Sequence, residues 1–216
     1  MDDPRQSRCA SPERSEVHSP KSARRSLFVL YGQYVANALG IVPAMVLLVD
    51  YIARGLKGTA QLGATYWILY GVAATMGPVL SGLTADRIGF RPSYRLALCL
   101  RAIAGLLFAI STSTASLVIA TIILGAFTPG IIPLVIGRTQ EIIRHDHAAQ
   151  RQAWSHAAMA FALFQALGGY GYSYLFTQSG QNYSLVFAIG SGVLVSALLS
   201  DFVFSGDRTS PRNRME

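Results

Sequence analysis

The chain has 216 residues, of which 51% are hydrophobic and only 13% charged, about half the charged share of a soluble domain. That deficit excludes an ordinary soluble globular core. The formal net charge of +7 would by itself suit a nucleic-acid binder, but the positions of the basic residues give it another origin.

Residues 1–25, MDDPRQSRCASPERSEVHSPKSARR, are rich in Ser, Pro and Arg and are expected to form a disordered, linker-like segment. A signal peptide is the competing reading, since Ala36-Asn37-Ala38 resembles a cleavage site. The acidic start, the long leader and the apolar run continuing past that site argue against it. Four windows then lack Asp, Glu, Lys and Arg altogether: 26–49, 58–85, 102–137 and 152–200. The last two are too long for one membrane-crossing helix of about 20 residues. Each holds a polar break, at 111–116 and 177–184. Splitting there predicts six spans, at 26–49, 62–83, 94–111, 115–137, 153–176 and 184–204, followed by a C-terminal tail over 205–216.

With six spans, sixteen of the eighteen Lys and Arg fall on one side, in the N-terminal segment, 84–101, 138–151 and the C-terminus; only Arg54 and Lys57 fall on the other. The basic side of a membrane protein is cytoplasmic, so both termini are expected there. Five or seven spans would put an arginine cluster outside. Cys9 and Cys99 suggest neither a disulfide framework nor a zinc site.

The loop between the second and third spans reads GLTADRIGFRPSYR. The positive-inside rule alone explains its arginines, but not an Asp at a helix end with a Gly one turn before it and another three residues after. Gly82 is expected to let another helix approach closely, Gly89 to permit a tight turn and Pro92 to suit the first turn of the next helix. The pattern Gly82-x-x-x-Asp86-Arg87-x-Gly89-x-Arg91 resembles the cytoplasmic signature loop of the major facilitator superfamily. It departs at Thr84, Phe90 and Pro92. The stretches WILYGVAATMGPVLSGLTADRIG, GAFTPGIIPLVIGRTQEI and AWSHAAMAFALFQALGGYGYSYLF resemble the C-terminal half of the YbfB/YjiJ-type branch of that superfamily. The resemblance extends over residues 26–204.

It implies an all-α membrane protein with six transmembrane helices in two inverted three-helix repeats, residing in the bacterial cytoplasmic (inner) membrane. It also implies transport of a small solute by alternating access, with either an N-terminal half or a second copy as partner, and a chain that is a truncated product or one half of a split transporter. A non-transporting polytopic interaction protein is the competing class. In a full facilitator the acid of this loop meets a helix end in the opposite half. Asp86 is therefore expected to find its partner there, and the start of the fifth span, near 153–156, to receive the matching acid.

The resemblance makes the first and fourth spans line the central cavity, with the second and fifth flanking it. Gln33 and Asn37 lie one turn apart on the first span and are candidates for binding substrate; hydrogen bonding between helices explains them equally well. Tyr34 lies beside them. Gln165, at mid-depth in the fifth span, is the third candidate. The fourth span carries Gly125, Thr128, Pro129, Gly130 and Pro133, which suggest a bend. Gly168, Gly169 and Gly171 suggest close packing, and Tyr170, Tyr172 and Tyr174 an interfacial aromatic belt. Arg101 is expected to snorkel to the cytoplasmic interface. No Asp or Glu is expected at mid-depth: Asp50 falls at an outer end, Glu141 and Asp201 at inner ends. A half of this kind by itself would expose the polar stripe of its first span to lipid, which is unfavourable.

Enzymatic readings are weak. His145, Asp146, His147 and His156 lie in or beside a charged loop, and His-x-His alone is a poor metal signal. An intramembrane serine protease needs a Gly-x-Ser-Gly nucleophile, but the first Gly is missing before Ser191-Gly192. No catalytic residue, metal or cofactor is expected, and no nucleic-acid partner; membrane lipid is.

Overall fold

The computed structural model describes residues 20–144 and 146–206, with side chains over 24–144 and 146–203. Most of the linker-like segment, the C-terminal tail beyond Gly206, Cys9 and His145 lie outside the described residues. Six long helices account for nearly all of the rest: α1 Pro20–Asp50, α2 Ala60–Ile88, α3 Phe90–Ile110, α4 Thr114–Ile142, α5 His147–Gln178 and α6 Tyr183–Gly206. A single π-helical turn, Tyr51–Gly55, extends α1. No strand occurs among the described residues.

Both polar breaks fall between helices, at 111–113 and 179–182. Most helices outrun the predicted spans because hydrogen bonding continues past the apolar stretch. α1 starts at Pro20 and α5 at His147, six residues before the expected span at each. Among the described residues, five helices are long and apolar enough to cross a membrane: α1, α2, α3, α4 and α6. α5 is long enough at 32 residues, but its Gln, Ser, Gly and His content leaves it less apolar than the others.

Local chemistry sets the helix ends. Thr59 caps α2 by accepting from the Leu62 N–H at 3.1 Å, satisfying a donor that has no intrahelical partner. α2 ends and α3 begins at one residue, Gly89, whose φ of 88° is a left-handed value that favours glycine. Its N–H bonds the Ala85 carbonyl at 2.8 Å, and its carbonyl accepts from the Ser93 hydroxyl at 2.8 Å. Pro92 stands in the first turn of α3, where its missing N–H has no intrahelical role.

Small residues bring the helices together, as is usual where lipid offers no hydrophobic drive. A Cβ on Gly77 of α2 would lie 1.8 Å from the Ala126 carbonyl oxygen of α4, and one on Gly125 of α4 2.4 Å from the Tyr70 carbonyl oxygen of α2. Gly40 of α1 meets Leu194 of α6, and Gly105 of α3 meets Ser191 of α6. Gly82 plays no such part: nothing lies within 4 Å of its Cβ position, because the α2–α4 seam runs along Gly77, Ser81 and Ala85 instead. Gly168 packs against Leu39 and Val42 of α1, whereas a Cβ at Gly169 or Gly171 would meet nothing within 4 Å. Pro129 and Pro133 lie inside a continuous α4, so neither breaks the chain there.

Two apolar clusters fill the bundle. One, at the end of the bundle that holds the Tyr51–Gly55 turn, gathers Tyr51, Phe108, Leu117 and Phe187. The other, toward the opposite end, gathers Leu30, Tyr34, Tyr94, Ile131 and Leu134.

Candidate functional site

A bundle of this kind buries few charges, and those it buries are informative because each must be compensated. At the end of the bundle near the α2–α3 turn the compensated charge is Asp201 of α6, 2% exposed. Arg95 Nε donates to its Oδ2 at 2.5 Å and Arg91 Nε to the same oxygen at 3.5 Å. Arg138 Nη1 and Nη2 both donate to Oδ1 at 3.2 Å, and Gln33 Nε2 joins them at 3.1 Å. Arg138 also reaches Gln33 Oε1 at 3.4 Å. Aromatic faces complete the shell: the Arg95 guanidinium lies 4.3 Å from the Phe202 ring centroid and that of Arg138 5.2 Å from Tyr94, both within cation–π range. One carboxylate thus ties α1, α3, α4 and α6 together.

Deeper in the bundle lies a different arrangement. Arg101 stands eleven residues beyond the start of α3, about 16 Å along the axis at 1.5 Å per residue. That is about the middle of the 21-residue helix. It is fully buried. Its Nη1 donates to Asn37 Oδ1 of α1 and, at 3.5 Å, to the Phe127 carbonyl of α4. Arg101 therefore does not snorkel. Its side chain turns in between α1 and α4, because its own face of α3, with Ala97, Leu98, Ala104 and Gly105, is buried. Tyr34, Tyr70 and Tyr94 lie within electrostatic range of the guanidinium. No carboxylate bonds it among the described residues.

Gln33 and Asn37 are accordingly both buried, at 1% and 0% exposure, each engaged by a charged side chain. They present no polar stripe on the outside of the bundle. Gln165 is not brought to them. Its side-chain amide lies 3.0 Å from Met45 Sδ on the α1–α5 seam. Tyr34 stacks on Phe161 and Trp154 of α5 with ring centroids 4.6 and 6.1 Å apart, and Tyr70 bonds Thr128 at 2.6 Å. An open groove between α1 and α6 is lined by Phe28, Val29, Ala36 and Ala197, with Gln33, Ser196 and Ser200 as its polar wall.

In the signature loop, Arg91 turns to Asp201 while Asp86 and Arg87 stay exposed. The α5 N-terminus is capped within the chain: Asp146 accepts from the Ala149 N–H at 2.9 Å. α5 begins at His147, before the 153–156 region where the fifth span was expected to start. No group of three or more metal-ligating side chains occurs among the described residues. At the opposite end of the bundle, Asp50 accepts from Tyr183 at 2.5 Å and pairs with Arg54 at 3.0 Å.

Sequence reasoning missed Asp201, Arg138 and Arg101 as buried groups. The first two pair across 63 residues and leave no local signal. Arg101 did leave one, in the small residues one turn to either side of it.

A family model described as an uncharacterised MFS-type transporter, YbfB, matches residues 3–201. No curated protein matches the chain significantly.

Proposed function

Since the chain belongs to the YbfB-type family of MFS transporters, and is therefore a multi-pass membrane protein of a transporting rather than an enzymatic class, we propose that it moves a small solute by alternating access as the C-terminal half of a facilitator. In this reading all six helices cross the bacterial inner membrane as two inverted three-helix repeats, α5 included, with both termini cytoplasmic. The single observation that carries it is the family match across nearly the whole chain. The buried polar groups on α1, α3 and α4 support it, since ionisable residues inside a membrane commonly mark a solute pathway.

The proposed partner is an N-terminal half or a second copy of this chain. α2 and α5 support that reading. α2 buries one face, through Tyr66, Tyr70, Ala73, Gly77 and Ser81, and turns Ile68, Val72, Met76 and Val79 outward. α5 buries only Ala153, Ala157, Gly168 and Tyr172. Asp86 and Arg87, exposed at the inner end of α2, are the groups proposed to meet the partner. Gln33, Asn37 and Gln165 remain the proposed solute contacts. Gln33 and Asn37 become available only if their present partners release them, as a rocking motion would require.

The test is solute uptake into proteoliposomes holding this chain alone, or this chain with a facilitator N-terminal half, measured across a panel of labelled solutes. Uptake of at least one solute above empty vesicles, greater with the partner half, is expected. No uptake of any solute in either preparation would favour a non-transporting interaction protein.

A further inference from the structure

Arg101 carries a charge that the described residues do not balance. Its Nη1 is used by Asn37 and the Phe127 carbonyl. Its Nε and Nη2 are buried with no hydrogen-bond partner, as is Nδ2 of the Asn37 that Nη1 engages. A guanidinium held in a low-dielectric interior without a counter-charge is strongly unfavourable, and each buried donor without an acceptor adds to that. Three orphan donors on two touching side chains amount to a place lacking an acceptor.

The pattern of these unpartnered donors is specific. Nε and Nη2 form one edge of the planar guanidinium, with their N–H bonds parallel. That is the edge that grips the two oxygens of a carboxylate side by side. Nη1, on the other edge, is held by α1 and α4, which fixes the orientation of the plane. One positive charge in an apolar interior calls for one negative charge; a phosphate dianion would leave an excess. We infer that the open edge of Arg101, together with the unpartnered Nδ2 of the neighbouring Asn37, is an anion site in the middle of the bundle that takes the carboxylate of a small monocarboxylic solute.

Arg101 is fully buried, so such a solute enters only when the helices part. The inference therefore rests on the alternating-access reading for entry, though not for binding. Tyr34 and Tyr70 connect the site to both tryptophans of the chain. Trp154 lies 6.1 Å from Tyr34, and Trp67 stacks on Tyr70 with centroids 5.2 Å apart. Tryptophan emission is thus a built-in reporter.

The experiment uses the full chain in lipid nanodiscs, in chloride-free buffer, titrated with sodium acetate or sodium benzoate. Acetamide and benzamide serve as neutral isosteres, and sodium chloride as a non-carboxylate anion. Tryptophan emission and the thermal midpoint are both read. A saturable change with a carboxylate, absent with its amide and at least about tenfold weaker with chloride, is expected. Arg101→Gln should abolish the response and have an unliganded midpoint no lower than wild type, since a buried cation is removed. Arg101→Lys should keep the charge but weaken binding about tenfold or more, because the two-donor edge is lost. If Arg101→Gln fails to fold, Asn37→Asp still decides the matter. A carboxylate supplied by the chain should raise the midpoint and eliminate the response to acetate and benzoate. No saturable change with either carboxylate, an equal change with the amides or chloride, or a response that survives both Arg101→Gln and Asn37→Asp would overturn the assignment. Binding without uptake would sink the transport reading and spare the site; uptake without binding would do the reverse.

Discussion

Asp201 of α6 and Arg138 of α4 meet inside the bundle through two hydrogen bonds to a single carboxylate oxygen. The carboxylate is 2% exposed and the arginine 11%. Arg91 and Arg95, at 33% and 25%, surround the same acid from α3. Removing the acid leaves three guanidinium groups facing one another. Asp201→Asn is expected to destabilise the chain by about 2 kcal/mol or more, below the upper range for a fully buried pair because two partners are partly hydrated. Arg138→Gln should come next, since it also frees Gln33, and Arg91→Gln should have the smallest effect. Thermal unfolding in one detergent gives the order; Arg91→Gln proving the most damaging would contradict the geometry.

The α2–α4 seam depends on glycine where a Cβ has no room. Gly77→Ala drives a methyl into the Ala126 carbonyl, and neither backbone can yield without opening the seam. A loss of about 1–3 kcal/mol is expected, the range for overpacking a well-filled interior. Gly82→Ala, five residues on and facing open space, should be neutral or slightly stabilising, as Ala favours a helix by up to about 1 kcal/mol over Gly. Equal losses in the two variants would rule out this account of the seam.

Of the three polar candidates, Gln33 and Gln165 should separate cleanly. Gln33→Ala removes a ligand of Asp201 and Arg138 from the buried cluster, so a midpoint several degrees lower is expected. Gln165→Ala removes one contact with a thioether, a weak acceptor, and should shift the midpoint little. A larger loss for Gln165→Ala would show that α5 depends on that amide.

The helices were legible in the sequence because charge-free windows and short polar breaks are one-dimensional signals. The breaks after Ile110 and Gln178 are where polar residues interrupt apolar runs. The turn at Gly89 was equally plain, since one residue both ends α2 and precedes α3. Depth and pairing were not legible. Measuring from a span that began at residue 94 put Arg101 close to the interface; the helix begins at Phe90, and the buried face of α3 draws the side chain inward. The partners of Asp201 lie 63 to 168 residues away, so no local pattern announces them. Asp86, the acid that stood out in its motif, is exposed, while Asp201, read only as lying at the end of a span, is the buried one.

Whether six helices cross the membrane turns on α5, the one helix whose composition falls short. Single cysteines at Arg87, Arg151, Ser113 and Gln181, all exposed positions, in a chain with Cys9 and Cys99 replaced by Ser, are labelled in intact cells with a membrane-impermeant maleimide. Ser93, buried against Gly89, would resist labelling on either side and is unsuitable. Labelling at Ser113 and Gln181, with Arg87 and Arg151 reacting only after permeabilisation, is the predicted result. Labelling of Arg151 and Gln181 from the same side would mean that α5 does not cross, and would contradict the six-span transporter half.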